Sequence, residues 1–169
     1  MRNVVSVSAF AVALLAGCSK PVDLKQALQI TDVKAGYRDG GIVEGRNKII
    51  PSISFRLKKS IDDSLRPLSL NLMFKKLPAP GIAPAPGSPA EEDWDDVFVE
   101  SVTFEGNQTA LLAYQPKAGY TGDPPQSRAD ILKNTHFQDV RVHVFVKYSS
   151  SQWVEIAQYT LPRQLIVSQ

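Results

Sequence analysis

Three segments of this chain alternate between apolar and polar residues, and this alternation limits the folds that the chain can adopt. Residues 53–58, 68–75 and 140–148 each place apolar side chains at every second position. Because successive side chains of a strand point to opposite faces, such a segment buries one face and exposes the other. The pattern therefore predicts β-strands whose apolar faces need a second layer to cover them.

Weaker strand patterns occur elsewhere, in residues 28–33, 97–104, 109–114 and 153–161. Consecutive strands that are separated by a short turn favour hairpins. The hairpins expected on this basis are 53–58/68–75, 97–104/109–114 and 140–148/153–161. A helical pattern is recognisable only in residues 127–134, where Ser127 and Asp130 have the spacing of a capping box.

About seven antiparallel strands with one apolar face each predict two sheets packed face to face. We therefore expect an all-β chain with a single immunoglobulin-like or fibronectin-type β-sandwich, and a small closed barrel is the main alternative. The disulfide of antibody domains has no counterpart, because Cys18 is the only cysteine. The side chains expected between the sheets are Phe55, Leu70, Leu72, Val142 and Val144.

The first eighteen residues have the composition of an export signal. Arg2 supplies a positive charge, and residues 4–15 form an apolar run without charges. This run is shorter than the about 20 apolar residues that a membrane-spanning helix needs. The order of charge, apolar run and small residues is typical of a secretory signal peptide. The run ends in Leu15-Ala16-Gly17-Cys18.

This tetrapeptide resembles the lipobox of bacterial lipoproteins. The resemblance implies that Leu15, Ala16 and Gly17 are recognised by the signal peptidase. It also implies that Cys18 is lipid-modified and becomes the N-terminus of the mature chain. The domain organisation that follows is a signal peptide over 1–17, a lipidated N-terminus with a short tether over 18–27 that ends in a helical turn, and the β-sandwich over 28–169.

Lipid on Cys18 would attach the chain to a membrane of the bacterial cell envelope. In enteric bacteria an aspartate after the cysteine retains lipoproteins in the inner membrane, whereas Ser19 stands here, so the resemblance favours the periplasmic face of the outer membrane. Removing residues 1–17 leaves 18 basic and 17 acidic residues, a net charge of +1. Because this charge is nearly neutral, we expect no nucleic-acid partner. The expected partners are the membrane and an envelope protein.

Residues 77–93 interrupt the strand pattern with five prolines in seventeen positions. Proline lacks an amide donor and favours the polyproline II conformation, so the segment predicts an extended loop between strands. A stiff, solvated loop is favoured, because loops tolerate insertions at little cost. The alternative is a partner-docking segment whose repeated element is Pro78-Ala79-Pro80 and Pro84-Ala85-Pro86, with Pro80 and Pro86 as contact residues.

Two aromatic residues accompany the long loops and are candidates for partner contact. Trp94 follows the proline-rich segment, and Tyr120 lies among glycines and prolines in residues 115–126. A loop of this composition on a rigid scaffold is typical of a binding loop. Equally, Tyr120 is able to fold back over the edge of the core.

Five carboxylates surround Trp94 in residues 91–96. Oxygen ligands suit Ca²⁺, so Asp93, Asp95 and Asp96 are weak candidates for a metal site, and the cluster is the alternative site for a small molecule or an enzymatic reaction. The spacing departs from that of calcium-binding loops, which favours a solvated acidic loop that discourages strand pairing.

No catalytic motif is recognisable in the chain. His136 and His143 would point to opposite faces of one strand, so they are not expected to share a metal. We therefore expect a binding or scaffolding module without a cofactor, and not an enzyme.

Overall fold

A computed structural model describes residues 22–60, 65 and 67–166. The lipobox-like tetrapeptide and Cys18 lie outside the described residues. In chain order the elements are α1 (Leu24–Ala27), β1 (Leu28–Val43), β2 (Arg46–Lys59), β3 (Leu68–Lys76), β4 (Glu92–Val99), β5 (Phe104–Glu105), β6 (Gln108–Thr109), β7 (Leu112–Tyr114), β8 (Tyr120–Gly122), α2 (Arg128–Lys133), β9 (Val140–Tyr148) and β10 (Val154–Thr160). Neither helix of this described part has the length and hydrophobicity that a membrane crossing requires.

The strands form two antiparallel sheets, as the alternation predicts. Sheet A is centred on β2, which pairs with β1 along one side and with the short strands β6, β7 and β8 along the other, while β5 pairs with β6. Sheet B has the order β10-β9-β3-β4. The all-β, sandwich-like fold is thus confirmed.

A single apolar cluster joins the facing surfaces of the two sheets. Burial alternates along β3 and β9, so that every second side chain is inaccessible to solvent. The five side chains predicted to lie in the core are all 0% exposed, namely Phe55, Leu70, Leu72, Val142 and Val144. The period-two pattern therefore identified the buried face of each of these strands correctly.

The predicted hairpin pairs are confirmed in part. The pair 140–148/153–161 is confirmed, since β9 pairs with β10. The pair 53–58/68–75 is wrong, because β2 pairs with β1 in sheet A while β3 pairs with β4 and β9 in sheet B. The reason is that β1 extends to Val43, well beyond the predicted 28–33, and closes on β2 through a turn in which Gly45 has a φ of +77°.

The pair 97–104/109–114 is correct only around its turn. Phe104 lies opposite Thr109 and Glu105 opposite Gln108, whereas β4 ends at Val99 and belongs to sheet B. The described part of the chain has ten strands rather than about seven, because four strands of sheet A are only two or three residues long. Such short pairings leave no alternation for a sequence pattern to reveal.

The predicted capping box at the start of α2 is present. The Ser127 hydroxyl accepts a hydrogen bond from the amide of Asp130, and the Asp130 carboxylate accepts one from the amide of Ser127 at 3.0 Å. The hydrogen bond from the Ser127 hydroxyl, followed by that from its amide, lowers the pKa of the Asp130 carboxyl below its usual value. The expected helical turn at the end of the tether is also present, as α1, and it buries Leu24 and Ala27.

Leu70→Ala tests the core assignment. We expect a loss of about 2–5 kcal/mol in the free energy of unfolding, because the substitution removes a fully buried side chain and leaves a cavity. Urea denaturation followed by circular dichroism measures the change. Leu165→Ala is the matched control, because Leu165 is 43% exposed and the same truncation there should cost far less. Equal stability of Leu70→Ala and the parent would contradict the assignment of β3.

Candidate functional site

The proline-rich segment folds into two successive β-turns. Residues 79–82 and 85–88 are each closed by a hydrogen bond from the fourth amide to the first carbonyl, at 3.0 and 2.9 Å. In each turn a proline precedes a glycine of positive φ, +78° at Gly81 and +85° at Gly87. Proline at the second position and a positive φ at the third are the features of a type II turn.

The expectation of an extended loop is therefore corrected. A proline alone favours the extended conformation, but each repeat here continues with a glycine, whose lack of a Cβ permits the positive φ that reverses the chain. Pro80 and Pro86 occupy the tips of the two turns and are exposed. Ile82 follows the first turn with 62% of its surface exposed. The segment presents two apolar turns to solvent.

Both ends of the segment are fixed to the sandwich. At the start, the amide of Leu77 donates to the carbonyl of Asp139 at 2.7 Å. At the end, the Glu91 carboxylate accepts a hydrogen bond from the Arg141 guanidinium at 2.7 Å and lies 2.7 Å from Nε2 of His143. Because both ends are held, the loop is less free than a simple insertion would be.

Most of the acidic cluster lies in a strand, which corrects the expectation of a solvated acidic loop. Asp93 and Asp95 belong to β4 and pair with Lys75 and Phe74 of β3, so that Trp94 is the additional residue of a β-bulge. The Lys75 ammonium lies 2.9 Å from the Asp93 carboxylate. Pairing of an acidic strand next to β3 is tolerated because β3 supplies this opposite charge.

Asp95 connects the two loops that were predicted separately. Its Oδ2 accepts hydrogen bonds from the amides of Lys117 at 2.9 Å and Ala118 at 3.1 Å. Its Oδ1 accepts a third from the amide of Asp96 at 2.9 Å. A single carboxylate thereby fixes the position of residues 115–119 relative to the start of β4.

The aromatic rings of Trp94 and Tyr120 are in contact with each other. Their ring centroids are 4.8 Å apart, and the ammonium of Lys76 lies 4.6 Å from the Trp94 ring centroid. Such a cation over an aromatic face is a favourable arrangement. We call the surface formed by residues 77–96 and 115–120 the loop junction.

Tyr120 folds back over the edge of the core. Its ring packs on Phe137 with centroids 4.5 Å apart, and its hydroxyl donates to the carbonyl of Gln138 at 2.7 Å. Burial raises the pKa of the Tyr120 hydroxyl well above its usual value, so the hydroxyl stays protonated and keeps donating. Tyr120 therefore joins the loop junction to the edge of the core, whereas Pro80 and Pro86 are exposed to solvent.

The weak metal candidates do not converge on one point. Within residues 22–60, 65 and 67–166, no group of three or more His, Cys, Asp or Glu side chains is placed to hold a metal ion. Asp95 is engaged by backbone amides and Asp93 by Lys75. A shallow cleft of about 370 Å³ lies beside the bulge, and Asp93, Asp95 and Asp96 contribute to its wall.

The pairing of His143 with carboxylates was not predicted from the sequence. Its Nδ1 lies 3.0 Å from Glu155 and its Nε2 lies 2.7 Å from Glu91. His136 is exposed outside the strands, so the two histidines do not lie on one strand. The alternation of β9 places His143 on the outer face of sheet B, but the approach of Glu91 depends on the end of the proline-rich segment, which has no sequence signal.

A second concavity lies on the outer face of sheet A, away from the predicted residues. This cleft has a volume of about 380 Å³. It is lined by Lys34 and Arg38 of β1, Ser52, Ile53 and Ser54 of β2, residues 111, 113, 114 and 115 in and beside β7, and Ile166. Ser52 and Ser54 alternate with apolar residues and therefore lie on the outward face of β2. Their small side chains are the sequence feature from which a cleft on this face could have been predicted.

Comparison with known proteins gives no relative for this chain. A scan against protein-family models finds no match, and searches of the curated proteins and of the solved structures find no match either. Its function is therefore inferred from its own residues.

Proposed function

We propose that this chain is a lipid-anchored binding or scaffolding module of the bacterial cell envelope, held at the periplasmic face of the outer membrane. The support for the anchor is the tetrapeptide Leu15-Ala16-Gly17-Cys18 at the end of a short apolar run. Lipid chains on Cys18 bind the bilayer through burial of their methylene groups, each contributing about 0.8 kcal/mol. The folded domain then needs no membrane-binding surface of its own.

The loop junction is the surface proposed to bind an envelope protein. The observation that carries this proposal is the connection made by Asp95, which holds residues 115–119 against the start of β4 through two backbone hydrogen bonds. Without it, the second loop would lose its attachment to the start of β4. With it, the second loop is held at the strand into which the proline-rich segment leads.

The order of this surface favours binding. A partner that contacts free loops loses affinity because the loops must be ordered in the complex, at about 0.5–1.5 kcal/mol for each immobilised side chain. Here the turns at Pro80 and Pro86 are closed by their own hydrogen bonds, and the segment is fixed at both ends. Little further ordering is required, so exposed apolar contacts such as Ile82 contribute more directly to affinity.

Cys18→Ala tests the anchor. We expect the protein to move from the membrane fraction to the soluble fraction of the cell, because the thiol that carries the lipid is absent. Fractionation with immunodetection measures the distribution, and metabolic labelling with a fatty acid reports the modification itself. Ser19→Ala is the matched control and should remain in the membrane fraction with its label. Retention of Cys18→Ala in the membrane fraction would contradict the proposal.

Replacement of residues 78–90 by a Gly-Ser linker of equal length tests the partner surface. Crosslinking in intact cells followed by mass spectrometry identifies the proteins captured by the parent. We expect the linker variant to lose a specific captured envelope protein while its melting temperature stays close to that of the parent, because the replaced residues are mostly exposed. An unchanged set of captured proteins would exclude the proline-rich turns as the partner surface.

Asp95→Ala tests the connection between the loops. We expect the amides of Lys117 and Ala118 to exchange with solvent faster, because they lose the acceptor that holds them, and stability to fall by about 1–3 kcal/mol. Hydrogen exchange resolved by NMR measures this. Asp96→Ala is the control, because the Asp96 side chain is adjacent in the sequence but the two amides donate to Asp95 instead. Equal protection in both variants would show that Asp95 does not hold the loop.

A further inference from the structure

The cleft on the outer face of sheet A has a floor of small side chains. The register places Lys34, Ser54 and Ala113 in one row across β1, β2 and β7, and places Gly36 next to Ser52 in a neighbouring row. Small residues at the centre of a sheet face leave a trough between the longer side chains on either side. This trough is a consequence of the sequence of the paired strands and not of a loop conformation.

The C-terminal segment closes one side of the trough. The amide of Tyr37 donates to the carbonyl of Gln164 and the amide of Ile166 donates to the carbonyl of Tyr37, so this segment pairs with β1. Ile166 therefore lies over Gly36, where a Cβ would approach its Cγ2 to 2.9 Å. Glycine at position 36 lets Ile166 sit close to the sheet and form an apolar wall.

The charged residues described in the lining of the cleft are all basic. Lys34 and Arg38 line it, and none of the described lining residues is acidic. No ion pair among the described residues includes Lys34. This contrasts with the shallow cleft beside Trp94, which three aspartates line. The cleft on sheet A is therefore suited to an anion.

Ser52 adds a buried donor to this cationic site. It is only 4% exposed, yet the hydrogen bonds that its hydroxyl forms with described residues are long, 3.4 Å to the carbonyl of Ile50 and 3.4 Å to Oε1 of Gln115. A buried hydroxyl normally forms shorter hydrogen bonds of about 2.7–2.8 Å. The hydroxyl is thus able to reorient and donate to a ligand oxygen in the cleft.

We propose that this cleft binds a small organic anion, with a carboxylate or phosphate group attached to an apolar body. The anionic group accepts hydrogen bonds from Lys34 and Ser52, and the apolar body covers Ala113 and Ile166. The volume of about 380 Å³ lies within the range of small-molecule sites. This site lies on the outer face of sheet A, and it does not depend on the loop junction or on a protein partner.

Calorimetric titration of the full chain with matched naphthalene probes tests the site. The anionic probes are 2-naphthoate and 2-naphthyl phosphate, and the neutral probe of similar shape is 2-naphthamide. We expect at least one anion to bind saturably at a single site and the amide to bind at least about tenfold more weakly, because it lacks the charge that Lys34 recognises. The tighter of the two anions identifies the head group as carboxylate or phosphate.

Two variants and one control locate the bound probe. Lys34→Gln should weaken binding of the tighter anion about tenfold, and Ala113→Phe should abolish it by filling the trough. Ala113 is exposed, so the larger side chain should leave the melting temperature nearly unchanged. Lys58→Gln is the matched charge control, because Lys58 lies on the same face of β2 as Ser54 but outside the cleft. This variant should bind the probe like the parent.

The proposal is overturned by either of two results. One is the absence of saturable binding of both anions to the parent chain. The other is an equal loss of affinity in Lys34→Gln and Lys58→Gln, which would show attraction to net positive charge alone. Neither result affects the proposed partner surface, since the linker variant of residues 78–90 leaves every residue of this cleft in place.

Discussion

Burial of alternate side chains between two sheets is the constraint on which the rest of the structure depends. β2, β3 and β9 each direct one apolar face into a shared core, and the residues that face it are almost completely inaccessible. Each strand alone would expose this face to water, so none is stable without the opposite sheet. Because the inner faces are committed to the core, the outer faces and the loops remain available for function. Both candidate sites lie there.

The core could be predicted from the sequence, whereas the strand pairing could be predicted only for the β9–β10 hairpin and around the turn between β5 and β6. Period-two alternation depends only on local geometry, because successive side chains of a strand point to opposite faces. The apolar face is the one that is buried, so the alternation identified Phe55 and Val142 as core residues. Pairing depends on which edges meet in three dimensions. The full length of β1 has no clear sequence pattern, because register shifts between Thr31 and Lys34 and between Asp39 and Ile42 interrupt the alternation of a strand of sixteen residues.

The candidate site shows the same division between local and distant information. The turns at Pro80 and Pro86 follow from a local Ala-Pro-Gly sequence, and the capping box of α2 from a spacing of three residues. The contact between Asp95 and the amide of Lys117 joins residues 22 positions apart in the sequence. No pattern within either segment encodes it. The sequence predicted a solvated acidic loop at these aspartates because their partners, a lysine of β3 and the amides of another loop, come from elsewhere in the chain.

The position of α1 determines how far the domain can lie from the proposed anchor. Leu24 and Ala27 are buried in the core, so the folded unit begins only a few residues after Cys18. A fully extended chain spans at most about 3.6 Å per residue. The six steps from Cys18 to Leu24 therefore allow no more than roughly 22 Å between the lipid-bearing residue and the domain. With the proposed anchor, a domain held this closely would be restricted in orientation, and the proposed partner of the loop junction would have to reach the membrane surface. The short tether would thus bring the proposed partner surface close to other proteins located at the membrane.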